Sequence, residues 1–264
     1  KVYRNIMDKI NVGIAGCLGR MGQELVNETT KDKRIKFVGG YDLKNSKTDT
    51  NDIFQGANII IDFSSPEAIK GNVSLALLHK TGLVIGTTGL NQKETNLLKK
   101  ASKKIPILYS SNMSLGVNLL FELVRQTSSV LKDVDYDIEI SETHHKHKKD
   151  APSGTAISLG EIASEGRKIP FSKNKVLNRT NKRNKRKIGN IGFAVTRGGE
   201  IAGEHTVSFI GDNDRIDLLH KASNRSIFVK GAVEAAVFLF KQKPGLYSMK
   251  DVLNIKPKSK KFTQ

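Results

Sequence analysis

The run Glu142-Thr-His-His-Lys-His-Lys-Lys-Asp-Ala-Pro-Ser-Gly-Thr155 gathers the side chains best suited to moving protons and holding anions. Between His144 and Lys149 it carries three histidines and three lysines. An imidazole changes charge near neutral pH and can act as general acid or base. The turn signal Asp150-Ala-Pro152 follows, and Ser153-Gly154-Thr155 then opens a helix whose first backbone N–H groups can bind an anion. Proton donor, cations and anion cradle together fit a small, negatively charged substrate. The competing reading is a solvated loop, which a run of charges more often is. A metal centre on His144, His145 and His147 is disfavoured, because their spacing is not a helical i, i+4 pair and no cysteine lies nearby.

A second concentration of chemistry lies near the start. Asn11-Val-Gly-Ile-Ala-Gly16 is a short apolar run suited to a buried strand. It leads through Gly16, Gly19, Arg20 and Gly22 into Met21, Leu25 and Thr29 at helical spacing. Strand, glycine loop, helix is the context a dinucleotide fingerprint requires. The glycines permit a tight turn and close approach to a pyrophosphate on the helix N-terminus, and Arg20 adds a charged donor. The spacing is G-x-x-G-x-x-G rather than G-x-G-x-x-G, so the loop alone is a weak signal. Asp42 ends the next apolar run, twenty positions beyond Gly22, where an acid grips an adenosine ribose. The plainer alternative is an α/β domain whose glycines only make turns.

Alternating strands and helices would hold both sets of residues. Ile59-Ile-Ile-Asp-Phe63 is a continuous apolar strand, as parallel sheets demand. Ser65-Pro66-Glu67 starts a helix with a cap, a first-turn proline and an acid, and Ile69, Val73, Ala76 and Leu77 form its buried face. Leu83-Val-Ile85 is a strand ending in Gly86-Thr87-Thr88-Gly89, and Asn91 with Glu94 makes a capping box. Ile105-Pro-Ile-Leu-Tyr109 is a further strand, ending in Ser110-Ser111-Asn112-Met113-Ser114. The expected fold class is α/β, a doubly wound parallel (Rossmann-type) sheet whose ligands sit at the carboxyl ends of the strands.

The pattern changes after Ser114. Val117, Leu120, Phe121 and Val124 mark a helix to about Leu131, and Asp137-Ile-Glu-Ile-Ser-Glu-Thr143 alternates as a half-exposed strand. After the helix at 155–164 come strands at 191–197, 205–210 and 215–221, the last two joined by the hairpin signal Gly211-Asp-Asn-Asp214. This is a second α+β domain on a mixed or antiparallel sheet. The expected division is 1–114 with 226–264 for the dinucleotide, and 115–225 for substrate and oligomerisation. An apolar helix at 231–240 packs back on the first domain; 241–264 reads as a basic tail and 1–9 as a loose extension.

Of 264 residues, 38% are hydrophobic and 27% charged, which fits a soluble globular chain, and no run reaches membrane-span length. With no signal-peptide pattern and Cys17 as the single cysteine, the expected location is the cytoplasm. The net charge of +18 raises nucleic acid as a partner. Residues 167–187 hold ten Lys/Arg and no acid, yet only Phe171 among them is aromatic, so they lack the stacking residues of a single-strand binder. They read as a basic loop.

The motifs Ala15-Gly-Cys-Leu-Gly-Arg-Met-Gly22, Asp62-Phe-Ser-Ser-Pro-Glu67, Gly86-Thr-Thr-Gly89, Ser111-Asn-Met-Ser-Leu-Gly-Val-Asn118, the Glu142 to Thr155 run, Gly203-Glu-His-Thr206 and His220-Lys-Ala-Ser-Asn-Arg225 closely resemble the 4-hydroxy-tetrahydrodipicolinate reductase (dihydrodipicolinate reductase) family. The likeness runs in order from about Asn11 to about Leu253, and the histidine–lysine run is its most specific part. The resemblance implies NAD(P)H-dependent reduction of a cyclic imine with two carboxylates, on the diaminopimelate route to lysine. It implies His144 as proton donor, Lys148 as its assistant, and His145, Ser153, Gly154, Thr155 and Arg225 as holders of the substrate carboxylates. Gly16, Gly19, Arg20, Met21, Gly22 and Asp42 would hold the adenine side of NADH or NADPH. Gly86, Thr87, Thr88, Ser111, Asn112 and Met113 would hold the nicotinamide side. A homotetramer built through the second domain's sheet is also implied, with no nucleic acid, membrane or metal.

In one departure, Asp42-Leu43-Lys44 stands where several relatives have acid-arginine. The acid favours the ribose hydroxyls of NADH, and Lys44 is the nearest cation for a 2′-phosphate, so the reading leans to NADH or dual use. Without the resemblance, His205 and His220 would be ordinary partly buried histidines, Arg225 a surface arginine and Cys17 a packing residue. Two alternatives stand beside this reading: another two-domain amino-acid dehydrogenase, and a nucleic-acid binder using residues 167–187.

Overall fold

The computed structural model describes residues 9–42, 49–180 and 185–255. The proposed extension at 1–9 lies almost wholly outside these residues, as does Lys44. The chain forms two compact units, one running to Leu115 and resuming at Ser226, the other spanning Gly116–Arg225.

In the first unit β1 (Ile10–Ala15), α1 (Arg20–Lys31), β2 (Ile35–Tyr41), α2 (Thr50–Gly56), β3 (Ile59–Asp62), α3 (Ile69–His79), β4 (Gly82–Ile85), α4 (Gln92–Ala101) and β5 (Pro106–Tyr109) alternate. Every strand pairing is parallel, which accounts for the unbroken apolar runs: β3 and β4 are buried at all their positions. The strand order reverses at β1, which lies between β2 and β3, so the glycine loop after β1 sits at the sheet's topological switch point. The capping box on α4 forms as expected, with Asn91 accepting from Lys93 N and Glu94 reaching back to Asn91 N at 2.7 Å.

Some expectations need correction here. Ser65 makes no side-chain cap; Pro66–Ala68 form a 3-10 turn and α3 begins only at Ile69. Leu77 is only partly buried, and Asn72 takes a place on the buried face because its amide bonds to the buried Asp62 carboxylate at 2.7 Å.

The second unit holds most of α5 (Leu115–Val130), then β6 (Asp137–His144), α6 (Gly154–Arg167), α7 (Phe171–Asn174), β7 (Lys175–Val176), β8 (Ile191–Arg197), β9 (Gly203–Ile210) and β10 (Arg215–Ala222). Their order is β10-β9-β6-β8-β7, antiparallel across the first three and parallel across the rest, a mixed sheet. One face packs Ile138, Ile140, Val207 and Phe209 against Leu120, Val124, Leu159 and Ala163 of α5 and α6. Residues 167–187 are not simply a loop. They contribute α7 and β7, because Phe171 packs edge-on to Phe193 and Val176 pairs with β8; 181–184 lie outside the described residues.

The chain then returns to the first unit with α8 (Ser226–Phe240), whose Val229, Val233, Ala236 and Leu239 join Leu25 of α1 and Ile14 of β1 in one core. The supposed basic tail supplies β11 (Gly245–Tyr247), a sixth parallel strand beside β5, and α9 (Met249–Val252). Met249 is fully buried in that core and explains why the segment is ordered against the sheet. Among the described residues no helix is long and apolar enough to cross a membrane.

Candidate active site

At the end of β1 the backbone turns through Gly16 at φ +79°, a conformation that disfavours side chains, and a Cβ there would lie 2.6 Å from the Phe63 carbonyl oxygen. Gly22, in the first turn of α1, is packed against the Gly16 carbonyl so closely that any Cβ would collide with it. Gly19 is the N-cap of α1 without a side-chain cap, and Arg20, the next residue, is exposed. Asp42 Oδ2 accepts from Leu18 N at 3.3 Å, tying the acid to the glycine loop. Gly16, Gly19, Tyr41, Asp42, Ser64 and Ser65 line a cavity of about 530 Å³. A glycine turn, an acid and a roomy concavity at a switch point fit the pyrophosphate and ribose of a dinucleotide.

Not every residue assigned to that role offers a side chain. Met21 packs against the core and Met113 is buried in it. The Thr87 hydroxyl is turned inward, onto Asp62 Oδ1 at 2.9 Å. A Cβ at Gly86 would strike the Phe63 ring. Thr88 and Ser111 are exposed and Asn112 is half-buried, the latter accepting from Ser114 N at 2.9 Å. The Met113 carbonyl presses on Gly231 of α8 with no room for a Cβ, which pins the loop that follows β5.

In the second unit the alternation of β6 puts Ile138, Ile140, Glu142 and His144 on one buried face. Register places Arg197 of β8 opposite His144, and His205 of β9 opposite Glu142. Glu142 is 2% exposed and receives four donors. Its Oε1 accepts from Ser153 N at 3.0 Å and Arg197 Nη2 at 2.8 Å; its Oε2 accepts from Arg197 Nη1 at 2.9 Å and His144 Nδ1 at 2.5 Å. Burial alone would raise the Glu142 carboxyl, but Arg197, His144 and the Ser153 N–H outweigh it and hold the group below its ordinary value. The carboxylate is therefore ionised, and the His144 ring must donate to it from Nδ1.

Burial lowers the His144 imidazole below its usual value; Glu142 opposes that, while Lys148 and Arg197 add to it. His144 Nε2 faces Gly203, whose added Cβ would approach it to 2.9 Å. His205 meets His144 edge-on with ring centroids 5.1 Å apart, and its Nε2 lies 3.0 Å from Ser153 Oγ. Burial pushes His205 down to about 4, so it is neutral at pH 7. It is thus a buried, engaged group rather than the ordinary partly buried histidine that the sequence alone suggests.

Ser153 caps α6, its Oγ accepting from Ala156 N at 3.2 Å. A Cβ at Gly154 would meet nothing within 4 Å, so packing does not require glycine there, and Gly154 is exposed beside the half-buried Thr155. The loop between β6 and α6 is tied to the 199–203 segment by His145 N to Ile201 O and Lys146 N to Gly199 O. Lys148 pairs with Asp150 at 2.7 Å, and His145 Nδ1 is buried without a hydrogen-bond partner among the described residues. His147 is exposed, and Arg225 is exposed after the end of β10. The structure thus clusters His144 and Ser153 through Glu142, a residue that had no role in the sequence reading. Ligand-type atoms of Glu142, His144 and His205 lie within 4.8 Å of one another, a different trio from the sequence-adjacent histidines. Both Glu142 oxygens are already taken by N–H donors, so the group is built as a hydrogen-bond hub.

Residues 10–113 match the family described as "Dihydrodipicolinate reductase, N-terminus" and residues 116–253 match "Dihydrodipicolinate reductase, C-terminus". The chain belongs to the dihydrodipicolinate reductase family. A 4-hydroxy-tetrahydrodipicolinate reductase of Zymomonas mobilis is 42% identical over 250 residues, covering 93% of this chain and 98% of its own. One from Sulfurimonas denitrificans is 44% identical over 257 residues, covering 93% of this chain and all of its own. The solved dipicolinate-bound dihydrodipicolinate reductase of Paenisporosarcina sp. TG-14 superposes with a TM-score of 0.75 at 21% identity, over 94% of this chain and 100% of that one, and shares its fold.

Proposed function

We propose that this chain catalyses the NADH- or NADPH-dependent reduction of 4-hydroxy-tetrahydrodipicolinate to tetrahydrodipicolinate, on the diaminopimelate route to lysine. The observation that carries the reading is the buried Glu142–His144 pair, joined to the start of α6 in a chain that its named reductase relatives match along nearly its whole length. Gly16, Gly19, Arg20, Gly22 and Asp42, with the backbone of Met21, would hold the adenosine diphosphate part of the cofactor; the backbone of Gly86, Thr87 and Met113, with Thr88, Ser111 and Asn112, would hold the rest. When bound, the reduced nicotinamide supplies the hydride. The 4-hydroxyl leaves as water to give a conjugated imine; after hydride addition to it, His144 delivers the proton that the electron-rich carbon requires, from Nε2, since Nδ1 is committed to Glu142. Gly154 and Thr155 at the start of α6, with Ser153, His145, Lys148 and Arg225, hold the two carboxylates of the substrate.

The assembly on this reading is a cytoplasmic homotetramer joined through the exposed face of the second unit's sheet, with no role for nucleic acid or membrane. The test is a coupled assay with enzymatically generated substrate and each cofactor in turn. His144→Gln and Lys148→Ala should each lower turnover by roughly 10²-fold or more, with nicotinamide-cofactor affinity retained. Near wild-type turnover in either folded variant removes that residue from the chemistry, and no substrate-dependent cofactor oxidation by the unaltered chain removes the whole reading.

A further inference from the structure

We propose that Glu142 and Arg197 form a positioning pair that locks the His144 ring with its Nδ1 proton on the carboxylate, leaving Nε2 as the only atom that can exchange a proton with substrate. This rests on the proposed role of His144 as the general acid, and deepens it. The geometry carries the inference. A carboxylate 2% exposed accepts from His144 Nδ1 at 2.5 Å on one oxygen and from the start of α6, at Ser153 N, on the other. Arg197 closes on both oxygens at 2.8 and 2.9 Å and also donates to the Asp150 carbonyl at 2.6 Å. The guanidinium therefore ties β8, β6 and the turn before α6 into one frame. A planar fork matched to a carboxylate loses little further freedom on binding, so the frame is rigid.

The two members act on His144 with opposite sign. Negative Glu142 stabilises the imidazolium; positive Arg197 opposes it. The other charged or titratable groups facing the ring are Lys148 on the following loop, which also opposes protonation, and His205 on β9, held neutral by burial. An unopposed carboxylate at this distance would leave the imidazolium too stable to give up its proton. A lone buried imidazole would not take one up. The pair sets the proton affinity of His144 between these limits. The ring's tautomer follows from the same contact, as it does wherever one imidazole nitrogen is committed to a carboxylate.

The decisive experiment follows the side-chain nitrogens of His144 by NMR through a pH titration of the full chain, alongside the pH profile of kcat/KM. In the unaltered chain Nδ1 should carry the proton of the neutral ring. Glu142→Gln should move the His144 titration and the matching limb of the rate profile to lower pH, with kcat falling tenfold or more and cofactor affinity unchanged. Arg197→Gln should move both to higher pH. Opposed shifts support the pair as a charge balance, because a merely structural role would change stability without a sign that follows the charge removed. Shifts in the same direction, no shift, or a neutral ring protonated at Nε2 overturn it. If Glu142→Gln does not fold, the direction in Arg197→Gln decides alone. His144→Gln separates the two readings: if it stays active while the NMR shifts are opposed, the positioning pair stands and the acid role falls.

Discussion

Gly154 shows how a single residue can be read by what packing does not ask of it. Among the described residues a Cβ there would meet nothing within 4 Å, whereas at Gly22 or Gly231 it would collide with backbone. If the space beside Gly154 belongs to a substrate carboxylate at the start of α6, Gly154→Ala should raise the substrate KM severalfold while the thermal midpoint moves little; an unchanged KM would place the substrate elsewhere. His144, Ser153 and Gly154 were legible as residue types, since imidazole and a small-residue helix start have few other joint uses. Glu142 was given no role from the sequence, although two residues apart on an alternating strand means one face shared with His144. Arg197 and His205 were not. Their closeness depends on the register of β8 and β9 against β6, with Arg197 and His205 lying 55 and 63 residues beyond Glu142, and no local pattern encodes it.

Elements were legible in proportion to their length and patterning. The buried strands β3 and β4 and the capped helix α4 carried clear signals. Helix α2 is only seven residues with Ile53 and Phe54 as its buried pair, too short to express a helical period. Strand β11 is three residues in a lysine-rich setting, and it exists because β5 offers an open edge. Strand β9 carries the clearest pH consequence at this scale. Its His205 titrates near 4 when folded, against about 6.5 in an unfolded chain, so between those values the unfolded state binds the extra proton. Stability should therefore fall as pH drops from 6.5 to 4, by up to about 3 kcal/mol from this residue. His205→Gln, which can still bond Ser153, should flatten that fall in denaturant titrations run across the range. An equally steep fall in the variant would mean that His205 is not the group responsible.

For the whole molecule, the proposed tetramer depends on what the uncovered face of the second sheet can pack against. Leu219, Thr206, Ser141 and Ala194 stand in register as one row across β10, β9, β6 and β8. The row carries no charge in a chain that is 27% charged, and its side chains are short apart from the half-exposed Leu219. Sheets pack face to face about 10 Å apart when such residues interdigitate, so a second copy of the same surface fits. The opposite face is already filled by α5 and α6 and by the Glu142–His144 pair, so association through the open face leaves the proposed chemistry undisturbed. Ala194→Arg would put a long cation at the middle of that row, and a two-fold contact would repeat the insult in each partner. Sedimentation velocity should then show a smaller species, with circular dichroism unchanged. A variant that sediments like the unaltered chain would exclude this row from the interface.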